Sequence, residues 1–97
     1  MVDLAALTAA DFAPLVGDGF SVAGAEPSVR LELCAVDEGS RSFDRRRSFS
    51  LLFVGPETPA LAQGIWPLEH RAFDGLELFL VPIGPGPTGP RYEAVFT

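Results

Sequence analysis

The stretch from Leu76 to Ile83, Leu-Glu-Leu-Phe-Leu-Val-Pro-Ile, constrains the fold more than any other because it is apolar on both sides of a strand. A strand with one wet face alternates apolar and polar residues, whereas a strand covered on both faces reads as a nearly continuous apolar run. Leu76, Leu78 and Leu80 define one face that belongs in a core. Phe79, Val81 and Ile83 define a second face, which needs either another layer of the same domain or another molecule. With Val95 beside them, these residues are the interface candidates, since exposed apolar patches mark contact surfaces; Leu52, Val54 and Ile65 are further candidates for the same face.

The remaining apolar segments read as partners for the first face. Ten Gly and nine Pro lie mainly between them, and Gly and Pro cost about 1 and 3 kcal/mol inside a helix, so the pattern predicts short strands joined by turns. Phe20 and Val22 share one face of a strand over 19–23. Val29, Leu31, Leu33 and Ala35 point inward over 28–36, with Arg30 and Glu32 outward and with Cys34 and Val36 interrupting the wet side. Phe49, Leu51 and Phe53 form the inner face of the next strand. Trp66, Leu68 and His70 share a face over 65–70, where Pro67 removes a ladder donor and predicts an edge or a bulge. Asp74-Gly75 is a hairpin signal, and the Gly-Pro run over 84–90 predicts an exposed, stiff connection. Tyr92, Ala94 and Phe96 line the last strand.

At the N-terminus, Thr8 and Asp11 have capping-box spacing, and Leu7 and Phe12 that of a hydrophobic staple. Pro14 limits the helix to one or two turns, ending as 3₁₀ before Gly17. Phe12, Leu15 and Val16 would pack this plug over an open end of the sheet. The expected fold is all-β: about six antiparallel strands forming a small barrel or compressed sandwich, with one short N-terminal helix. The 97 residues are read as a single domain spanning 1–97.

Charge and residue types exclude several chemistries. The net charge is −6 and all seven basic residues are Arg, which disfavours nucleic acid and anionic membrane as partners. Arg45, Arg46 and Arg47 form the only basic run, a candidate basic patch at the end of the polar loop 37–46, where Asp37, Glu38 and Asp44 neutralise it. Cys34 is the sole cysteine, so no intramolecular disulfide forms and packing alone holds the fold. His70 is the sole histidine, the one candidate base for a hydrolase. Metal binding needs three or four converging ligands, and neither a metal nor a cofactor is expected. No basic leader segment and no apolar run of about 18 residues occurs, which makes the cytoplasm the expected compartment.

Five phrases carry a family likeness: Leu-Thr-Ala-Ala-Asp-Phe-Ala-Pro-Leu-Val-Gly (7–17), Phe-Ser-Leu-Leu-Phe-Val-Gly-Pro (49–56), Gln-Gly-Ile-Trp-Pro-Leu-Glu-His (63–70), Leu-Glu-Leu-Phe-Leu-Val-Pro-Ile-Gly-Pro (76–85) and Arg-Tyr-Glu-Ala-Val-Phe (91–96). Over nearly its whole length the chain resembles a small bacterial domain family of unknown function, often encoded beside phage-tail-collar-like proteins. The resemblance implies an accessory part in a tail-like or fibre apparatus and brings no catalytic residues. The expected function is a non-catalytic protein–protein interaction or assembly module, with a protein partner or a homo-oligomer. A small ligand-binding β-barrel is the alternative, and a hydrolase using His70 a weaker one.

Overall fold

The computed structural model describes residues 7–24, 29–38, 49–57 and 60–96. The chain opens with helix α1 (Ala9–Phe12) and a 3₁₀ turn at Ala13–Leu15, followed by strands β1 (Gly19–Val22), β2 (Val29–Glu38), β3 (Phe49–Val54), β4 (Gly64–His70), β5 (Phe73–Gly86) and β6 (Gly89–Phe96). All neighbouring strands pair antiparallel in the order β1-β2-β3-β6-β5-β4, and β1 returns to β4 to close a barrel. Closure decides between the two expected architectures in favour of the barrel. The six segments with period-2 patterning each become one strand.

The lumen is filled by side chains, as expected for so narrow a barrel. Leu31, Leu33, Leu51, Phe53, Leu76, Leu80 and Tyr92 are essentially inaccessible to solvent, and each such apolar side chain contributes about 1.5–3 kcal/mol on leaving water. One end is plugged by Phe12, whose ring lies 5.0 Å from Phe73, 5.6 Å from Phe96 and 6.0 Å from Phe49 between centroids. The Thr8 N–H donates to Asp11 Oδ2 at 2.8 Å, which fixes the start of α1 and aims Phe12 into the barrel. Leu15 packs against the core as expected, but Val16 is exposed because the chain turns away after the 3₁₀ turn. At the opposite end Leu61 folds over the lumen, and its N–H donates to the Tyr92 hydroxyl at 2.9 Å.

Irregularities in the ladders account for three further departures from the expected pattern. Leu33 pairs with Phe53 and Ala35 with Leu52, so Cys34 is an extra residue in β2. This bulge reverses the facing of the next two residues: Ala35 is exposed and Val36 packs on the core. The hairpin between β4 and β5 turns at Arg71–Ala72, with His70 paired to Phe73. Gly75, at φ 79°, instead supplies the left-handed conformation of a bulge inside β5, where one more residue separates Phe73 from Leu76 than separates their partners. Pro67 is not on an edge, since closure leaves β4 paired on both sides; the register shift between Leu68 and His70 lies just beyond it.

The Gly-Pro run is the largest departure, because most of it continues the strands. Gly86 pairs with Gly89 across the two-residue turn Pro87–Thr88, Pro85 with Pro90, and Pro82 with Tyr92 beyond a second bulge. A two-residue hairpin closes on a hydrogen-bonded pair, and bonded and non-bonded pairs alternate from there. The Pro85–Pro90 and Pro82–Tyr92 pairs therefore occupy non-bonded positions. The missing N–H groups face away from the partner strand and cost the ladder nothing.

Candidate functional site

Alternation along β4, β5 and β6 sends every second residue to the outside of the barrel, and the register brings several apolar ones together. Ile65 stands directly across from Phe79. Pairing of β5 with β6 ends at Val81 opposite Glu93; Val95 lies two residues beyond Glu93 on β6 and pairs with Ser50 on its other side. The relative exposures of Ile65, Phe79 and Val95 are 69%, 50% and 57%. Ile83 is also exposed, while Val81 is half-buried. Of the interface candidates, Phe79, Val81, Ile83 and Val95 thus lie on one outer wall, and of their expected neighbours Ile65 pairs directly with Phe79. No layer of the described domain lies over Phe79.

Acidic residues punctuate this wall. Glu77 faces Pro67 across the ladder, Glu93 faces Val81 and Leu52, and Glu69 faces Ser21. None of the three stands directly opposite an arginine. Arg91 instead faces Val54 and Gly84, and its stem passes close over Gly86, where a Cβ would meet Arg91 Cδ at 2.8 Å.

A second region forms where β1 and β4 diverge after only two paired residues each. Gly17, Asp18, Gly19, Arg30, Glu69, His70 and Arg71 line an open groove of about 340 Å³. The Arg30 guanidinium lies across Gly19, in the space that a Cβ there would occupy. The His70 ring stacks on Phe20 with centroids 4.5 Å apart. Its Nδ1 accepts the Ala72 N–H at 3.0 Å, so the ring proton is on Nε2, which donates to Asp18 Oδ2 at 3.0 Å. Both nitrogens are thereby committed, one to the hairpin turn and one to a residue 52 positions away. With its side chain 5% exposed, the imidazole locks the turn and the start of β1 together and has no nitrogen left to accept a proton from a nucleophile. Local sequence placed His70 at a turn; the contact with Asp18 depends on barrel closure and left no local signal.

The basic run Arg45, Arg46 and Arg47 lies outside the described residues. Cys34 sits half-buried at the β2 bulge, where its thiol donates to the Glu32 carbonyl oxygen at 3.6 Å. Desolvation, and secondarily the Glu32 carboxylate, push that thiol's pKa up, the reverse of what activates a cysteine nucleophile. Among the described residues no three His, Cys, Asp or Glu side chains converge as metal ligands, and no helix is long and apolar enough to cross a membrane.

Comparison with known proteins gives a family but no worked example of it. No curated protein and no solved structure matches the chain. From residue 7 to residue 96, which takes in every strand and the helical plug, the sequence matches the model of a domain of unknown function (DUF6916), and the chain belongs to that family.

Proposed function

We propose that this domain is a non-catalytic protein–protein interaction module that makes its contact through the outer wall of β4, β5 and β6. The observation that carries the reading is the row Ile65, Phe79 and Val95, each half exposed or more on adjacent strands of a closed barrel. Large apolar side chains gathered on a rigid wall gain by leaving water together. The barrel gives them a fixed spacing, so little ordering entropy is lost on contact. A lumen filled by its own side chains suits a structural part better than a carrier. The finer reading, an accessory component of a phage-tail-like or fibre apparatus in a bacterium, rests on the family resemblance alone.

The test is capture from the native host with the wild-type domain and with Ile65→Asp/Phe79→Asp in parallel, accompanied by sedimentation of the isolated domain. A partner or a second copy engaged by the wild type should be lost from the double variant while its thermal unfolding stays cooperative. Equal engagement by both proteins would remove the wall as the contact surface.

The groove supports a second reading, a small polar ligand held between β1 and β4. Its volume of about 340 Å³ lies within the usual range for ligand sites, roughly 300–1,000 Å³, but such sites are mostly apolar and enclosed. This one is open and mixes Arg30 and Arg71 with Asp18 and Glu69. A hydrolase would have to break both His70 hydrogen bonds before using the ring. Loss of a measured hydrolytic activity in a folded His70→Ala variant is the observation that would revive it.

A further inference from the structure

We propose that the occupant of the outer wall is a basic, apolar-anchored segment of another protein, about one helix wide; this rests on the wall being the contact surface. Width is the first argument. Ile65, Phe79 and Val95 come from three adjacent strands, and two inter-strand spacings of about 4.8 Å make a strip about 10 Å across, the diameter of a helix with its side chains.

Charge is the second argument. Glu77 precedes Phe79 by two residues on β5 and Glu93 precedes Val95 by two on β6, whereas Glu69, four after Ile65 on β4, lines the groove with Arg30 and Arg71. The outward positions of these three strands carry a single arginine, Arg91, which is half-buried and folded against Gly86 with its Nε out of solvent. The strip is therefore apolar along its middle and acidic beside it, on a chain of net charge −6. A second copy would bring the same carboxylates against their own kind as the interface desolvates. Lysine or arginine flanking an apolar stripe complements them and is drawn in by the long-range field.

The third argument excludes docking by strand addition. Pairing of β5 with β4 ends at Leu80 opposite Gly64, so among the described residues Val81–Gly86 has no strand partner on that edge. Pro82 and Pro85 fall where an N–H would point out of that edge. An incoming strand finds no donors at those positions, so the side-chain face is the surface left for recognition.

The probes are two synthetic amphipathic peptides of about 15 residues, one of leucine and lysine, the other of leucine and glutamate, titrated into the ¹⁵N-labelled full chain. The lysine peptide should shift the amides of Ile65, Phe79, Val81 and Val95. Its affinity should fall about tenfold from low to physiological salt and about tenfold in Glu77→Gln/Glu93→Gln. The glutamate peptide should leave the spectrum unchanged. Equal binding of both peptides, shifts centred on His70 and Arg71, or undiminished binding by a folded Phe79→Asp variant would each overturn the proposal. Sedimentation of the domain alone separates the two levels. A dimer dissolved by Phe79→Asp overturns the basic segment but keeps the wall as a contact, whereas a wall engaged by neither peptide, copy nor host protein removes both.

Discussion

The two faces of β5 carry nearly the same kind of side chain and do opposite work. Leu76, Leu78 and Leu80 have almost no exposed surface, while Phe79 keeps half of its own and Ile83 more than a third. The inner leucines belong to one core cluster drawn from every strand, so each is held by neighbours that cannot move independently. The outer residues Phe79 and Ile83 are exposed and lie outside that cluster. Core packing is concentrated on one side of a single strand and exposed apolar surface on the other, so the two can be changed separately.

The largest test of this separation removes the last strand. β6 bridges β3 and β5 and buries Ala94 and Phe96 inside the barrel. Deleting everything after Tyr92 should open the barrel and abolish the cooperative melting transition in calorimetry. A soluble truncated chain that still melts cooperatively would show that the inner face does not hold the fold. A more selective comparison sets neighbours on β5 against each other. Leu78→Ala should lower unfolding free energy by about 2–5 kcal/mol, and Phe79→Ala by about 0.5 kcal/mol, in chemical denaturation with unchanged m-values. Similar losses from both would erase the distinction between the faces.

The all-β class, the strand segments and the plug are legible in the sequence because period-2 alternation and Gly-Pro punctuation are local signals that burial enforces. The features that escape a local reading are set by long-range pairing. Nothing in the residues around Cys34 announces that it is the extra one opposite Leu52, yet this bulge turns Ala35 out and Val36 in. Asp74-Gly75 has the same positive-φ preference in a bulge as in a turn, so composition alone cannot place the hairpin tip. The Gly-Pro run reads as a connection because proline is tolerated in a ladder only at non-bonded positions, and which positions those are depends on register. At the candidate site, Phe79, Val81, Ile83 and Val95 are visible as an apolar outer set with Ile65 as a candidate neighbour, but the pairing of Ile65 with Phe79 follows only from strand order, and Asp18 reaches His70 only through closure.

The Leu61–Tyr92 contact sharpens the comparison at a smaller scale, because it is a polar bond inside the apolar side. Tyr92→Phe keeps the ring in the lumen but leaves the Leu61 N–H without its acceptor. A buried, unsatisfied donor costs about 1–3 kcal/mol, so the variant should be destabilised by that amount and exchange the Leu61 amide faster in hydrogen-exchange measurements. Unchanged stability with unchanged exchange would mean that another acceptor takes over and that the cap at this end does not depend on the hydroxyl.

The smallest effect is expected at Cys34, where β2 passes from one facing to the other and a side chain is neither inside nor outside. Burial first, and the Glu32 carboxylate second, disfavour the thiolate and raise the thiol's pKa. The folded state therefore holds this proton more tightly than the unfolded chain does. Any stability it contributes is present below the ordinary thiol range and lost as pH rises through the raised folded value. At a fixed mildly alkaline pH, iodoacetamide should alkylate Cys34 more slowly in the folded protein than in denaturant, and the folded rate should keep rising to a higher pH before levelling. Because the residue is partly exposed and unpaired in the ladder, Cys34→Ala should change stability by no more than about 0.5 kcal/mol. A folded rate equal to the denatured one would place the thiol on the solvent side of the bulge and move the boundary between the two faces of the barrel to Leu33.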